Sequence, residues 1–84
     1  MTGQALGFLP EIKQVHFVIS ELIRAKEKHP EFAENHAEAL CIITEELGEL
    51  AEAINDKQSI DHLREEAAHV AVTAIRFLES LVTK

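Results

Sequence analysis

The sequence predicts an all-α fold, and three observations carry that expectation. Apolar residues recur at three- and four-residue spacing in three successive stretches, the period of a helix face. The 84 residues include no Trp or Tyr and only three Gly and two Pro, so material for short strands and tight turns is scarce. The breaks between the stretches are short and polar, with cap and stop residues at their edges. A hydrophobic content of 46% beside 27% charged residues is that of a folded chain, and the length suits one helical domain over residues 1–84 with a modest core.

The first helix is expected from about Leu9 to Lys28. Pro10 suits a first helical turn, where its missing N–H would have no partner anyway. Phe8, Ile12, Val15, Ile19 and Leu22 form one apolar stripe, Lys26 and Lys28 favour the C-terminal end, and Pro30 blocks continuation. A connection from His29 to Glu34 follows. Asn35, with Glu38 three residues on, is the expected cap of a second helix whose core stripe is Leu40, Ile43, Leu47, Leu50 and Ile54. The polar break Asn55 to Gln58 then leads to Ser59, the expected cap of a third helix reaching about Val82. So short a loop makes helices two and three an antiparallel hairpin.

The third helix is unusual. From Ala67 to Val82 it is apolar nearly all round, the pattern of a buried helix. Its polar residues at 62, 66, 69, 73, 76 and 80 step alternately by four and three, which aligns them on one face. A polar line on a buried helix needs partners, since burying an unpaired polar group costs about 1–3 kcal/mol. So much apolar surface also exceeds what one hairpin can cover. A homodimer or homotetramer with a four-helix core is expected.

Composition excludes several classes. A net charge of −7 offers no basic face for a nucleic acid polymer. The single Cys41 rules out an intrachain disulfide framework and, inside a helical apolar pattern, reads as a small core residue in a reducing compartment. No apolar run approaches the ~20 residues of a membrane span and no signal-peptide pattern opens the chain, so a cytoplasmic location is expected.

The acidic residues are where the chemistry lies. Helix two carries Glu45, Glu46, Glu49 and Glu52, and helix three carries Glu65, Glu66 and, one turn on, His69. Glu46 and Glu49 share a helix face, as do Glu66 and His69. Across an antiparallel hairpin, residues equidistant from the turn lie at equal height. Glu46 with His69, and Glu49 with Glu66, are both symmetric about the midpoint between Lys57 and Gln58. Four ligand-type side chains can therefore meet. Three carboxylates drawn together repel unless a cation sits among them, and oxygen-rich sites suit Mg2+ or Mn2+.

The block Glu45-Glu46-Leu47-Gly48-Glu49-Leu50-Ala51-Glu52-Ala53-Ile54 resembles the EExxE segment of the MazG-like nucleoside triphosphate pyrophosphohydrolases and the related dimeric dUTPases. Glu66-Ala67-Ala68-His69 stands where that superfamily places an ExxD, and the resemblance spans roughly residues 24 to 80. It implies Mg2+ held by Glu46, Glu49, Glu66 and the position of His69, with Glu45 orienting or deprotonating a water. It further implies cleavage of a nucleoside triphosphate between its α and β phosphates. His69 departs from the family Asp. Imidazole is a poor magnesium ligand, so His69 binds a softer ion such as Mn2+, hydrogen-bonds a metal-bound water, contacts phosphate, or marks lost activity. Candidate substrate contacts are Arg76 on the same face, His62 and Lys57 nearer the turn, and His36 at the start of helix two.

Two other readings compete. Glu-x-x-His is also the ligand motif of ferritin-like di-metal bundles, which a dimer of this hairpin would reproduce. A non-catalytic nucleotide-binding or interaction protein is the other.

Overall fold

The computed structural model describes residues 9–82. Three helices follow one another: α1 (Ile12–Lys28), α2 (His36–Asn55) and α3 (Ile60–Val82). Phe8, the expected first residue of the α1 stripe, lies outside the described residues.

Helix α1 begins three residues later than the sequence suggests. Leu9 to Ile12 form a turn closed by the Ile12 N–H donating to the Leu9 carbonyl at 3.2 Å. Pro10 occupies the second position of that turn, which its fixed φ favours as much as a first helical turn. At the other end the His29 N–H donates to the Ala25 carbonyl, and His29 then leaves helical geometry at φ −133 and ψ 83. Proline disfavours helical backbone in the residue before it, so Pro30 sets this stop.

The expected caps form. The Asn35 side-chain oxygen accepts the Glu38 N–H at 2.8 Å, and Ser59 Oγ accepts the His62 N–H at 3.1 Å. Between them α2 ends in a Schellman motif. The Lys57 N–H donates to the Ile54 carbonyl, the Gln58 N–H donates to the Ala53 carbonyl, and Lys57 takes φ 56.

Helix α3 packs against both α2 and α1. The buried apolar residues are Ala39, Ala53, Ala68 and Val72, so small side chains dominate the core. Two contacts from α1 hold it on α3: the Arg64 guanidinium lies 4.5 Å from the Phe17 ring centre, and Lys26 Nζ pairs with Glu79 at 2.7 Å.

Several sequence expectations are corrected here. The α2 stripe does not all face inward: Leu40, Leu47 and Ile54 are more than half exposed, as Val15 and Ile19 of α1 nearly are. Alanines at the contacts bring the backbones close and leave the larger side chains at the rim. Cys41, beside Leu40, is exposed rather than in the core. Helix α3 does keep uncovered apolar surface in the single chain, as expected of more than one hairpin can cover: Leu78, Leu81 and Val82 are exposed. The polar line of α3 is the inward one. Thr73 and Arg76 are buried, and His62, Glu66, His69 and Ser80 are half-buried.

Candidate metal centre

Helices α2 and α3 bring Glu46, Glu66 and His69 together. One ligand atom from each lies within 4.8 Å of the others. Glu46 Oε2 is 3.9 Å from His69 Nδ1, as the common height across the hairpin predicts. His62 Nε2 stands 3.7 Å from Glu66 Oε1, one turn nearer the loop. The cluster is half-buried, and Glu46 Oε2 and Glu66 Oε2 are buried without a hydrogen-bond partner.

That arrangement fits a divalent cation. Two ligands on opposite sides of Mg2+ stand about 4.2 Å apart at bonds of ~2.1 Å, so small side-chain adjustments suffice. A cation would also supply what the two orphaned oxygens lack. Without one, the Glu46 carboxyl is pushed above the usual glutamate range, first by burial and then by Glu49. Glu66 and Glu45 push the same way, and His69 opposes them.

The cluster opens into a cleft of about 850 Å³, within the range of small-molecule sites. Glu45 and Glu49 line this cleft, both exposed. Glu49 therefore shares the site with Glu66 but stands outside the three-residue cluster.

The candidate substrate contacts separate. Arg76 lines the cleft, yet one Nη donates to the carbonyls of His29 (2.7 Å) and Pro30 (3.4 Å), and its guanidinium lies 5.3 Å from the Phe32 ring centre. It closes the end of α1. His62 adjoins the cluster through Glu66, whereas Lys57 is exposed at the hairpin turn. His36 meets the Phe77 ring edge-on at 5.7 Å and does not line the cleft.

Sequence reasoning missed the opposite wall, formed by Glu21, Arg24 and Lys28 of α1. A signal was present. These residues step by three and four, the spacing that singled out the polar line of α3.

No protein family, curated protein or solved structure matches the chain. Among the described residues, no helix is long and apolar enough to cross a membrane.

Proposed function

We propose that this chain is a metal-dependent nucleoside triphosphate pyrophosphohydrolase, converting an NTP or dNTP to the monophosphate and pyrophosphate. One observation carries the reading: Glu46, Glu66 and His69 converge within 4.8 Å, with two buried carboxylate oxygens lacking partners, in a cleft of nucleotide size.

Glu46, Glu66 and His69 hold Mg2+ or Mn2+, and Glu49, outside that cluster, lines the same cleft. The bound cation shields phosphate charge and polarises the phosphoanhydride. Glu45, exposed at the cleft edge, orients the attacking water and takes its proton. The imidazole at 69 favours Mn2+ over Mg2+. The active unit is a homodimer or homotetramer that covers the exposed apolar faces.

A panel of nucleoside triphosphates assayed for pyrophosphate release with Mg2+ or Mn2+ tests the reaction. Turnover of at least one nucleotide is expected, lost in Glu46→Gln and raised with Mg2+ in His69→Asp. A purified protein that hydrolyses none of them with either metal would leave a binding or interaction role instead.

The arrangement also favours a second reading, because Glu46 with Glu66 and His69 is half the ligand set of a ferritin-like di-metal bundle. Such sites are closed within the bundle core. An 850 Å³ cleft with cations on its far wall suits a phosphorylated substrate better. Iron-dependent oxygen consumption without pyrophosphate release would reverse that preference.

A further inference from the structure

The α1 wall of the cleft has no role in the chemistry above. Glu21, Arg24 and Lys28 share one face of α1 and line the same cleft as Glu46, Glu66 and His69. The Glu21 side chain is 9% exposed, whereas that of Arg24 is 78% exposed, and they pair at 3.3 Å. An ion pair with one member in water contributes little to stability. Its effect is to fix where the guanidinium stands.

Three other cations of α1 and α3 are engaged. Lys26 pairs with Glu79, Arg76 bonds two carbonyls, and Arg64 lies against Phe17. Among the described residues, Arg24 bonds Glu21 alone and Lys28 has no ion-pair partner. Guanidinium carries five N–H donors and ammonium three, so most of this wall's donors are unused. They line the same cleft as the candidate cation site. A polyphosphate keeps negative oxygens after one divalent ion has bound it, and Arg or Lys donors match those oxygens.

We infer that Arg24 and Lys28 grip the terminal phosphates of the substrate, and that Glu21 is the residue positioning Arg24. The inference rests on the nucleotide reading. It assigns the two walls separate tasks: α2 and α3 hold the cation, and α1 holds the phosphate tail.

The test is calorimetric binding of tripolyphosphate to the full chain with Mg2+, alongside Mn2+ binding without phosphate. Arg24→Gln and Lys28→Gln should each weaken tripolyphosphate binding about tenfold, the scale of one modest charge-assisted hydrogen bond. Mn2+ affinity should not change in either. Glu21→Gln should weaken tripolyphosphate binding like Arg24→Gln, and the double variant should lose little more, because both changes remove one unit. Affinities within twofold of the wild type in both cation variants would overturn the inference, as would a wild type that ignores tripolyphosphate. Loss of Mn2+ affinity in Glu21→Gln would make Glu21 a metal ligand and overturn its positioning role. Wild-type Mn2+ binding and pyrophosphate release report separately on the nucleotide reading. If both persist while the cation variants behave as wild type, only the α1 assignment fails.

Discussion

Glu46 is the residue at which binding and stability oppose each other. Its carboxyl is raised chiefly by burial and next by Glu49. An acid whose folded-state pKa is raised is stabilising when protonated. Its contribution is complete below the usual glutamate range and is lost as pH rises through the raised value. Once ionised, Glu46 therefore gives the metal-free protein a charge that weakens the fold. Glu46→Gln should raise the melting temperature of the metal-free protein at pH 7. The gain should shrink on acidification, and the variant should no longer be stabilised by Mn2+. Thermal melts at several pH values check this; a variant less stable than the wild type at pH 7 would show that the carboxylate is satisfied without metal. The cluster was largely legible in the sequence, because equal height across a hairpin depends only on residue numbers. Glu49 was not separable from its neighbours, because height does not say how far round the helix a side chain points.

Element ends here are governed by local chemistry. Asn35 and Ser59 each satisfy an N–H of the first helical turn, and both were readable as caps. The α2 end is less favourable. Lys57 takes the left-handed conformation at φ 56, where a side chain costs about 1–2 kcal/mol that Gly avoids. Lys57→Gly should stabilise the chain by about 1 kcal/mol in urea denaturation, with tripolyphosphate and Mn2+ binding unaltered. Destabilisation would mean that the side chain matters more than the backbone at this turn. The seating of α1 was not legible. It depends on Arg64 over Phe17, Lys26 with Glu79 and Arg76 with the His29 carbonyl, pairings 47 or more residues apart that leave no local pattern. Hence the cleft's basic wall escaped a reading that found its acidic one.

At the scale of the whole molecule the chain is open rather than compact. Its radius of gyration is 14.3 Å, against about 11–12 Å for a compact domain of this size. Among the described residues no large side chain is fully buried, and Leu40, Leu47 and Ile54 repeat every seven residues along the open side of α2. The sequence foretold surplus apolar surface on α3, where Leu78, Leu81 and Val82 are exposed, but not the row on α2, because those residues read as its core stripe. We expect α2 to pair with α2 of a second copy. Burying a leucine contributes about 1.5–3 kcal/mol, and a symmetric interface contains the residue twice. Leu47→Glu should then raise the dimer dissociation constant at least about a hundredfold, read by sedimentation equilibrium. An unchanged mass would place the interface elsewhere.

A cation shared by α2 and α3 is the centre of the proposed function. Electron paramagnetic resonance of Mn2+ titrated into the wild-type chain, Glu66→Gln and His69→Ala measures that directly. The wild type should bind Mn2+ stoichiometrically, with affinity at least about tenfold weaker in each variant. Absence of Mn2+ binding, or equal affinity in all three proteins, would contradict that proposal.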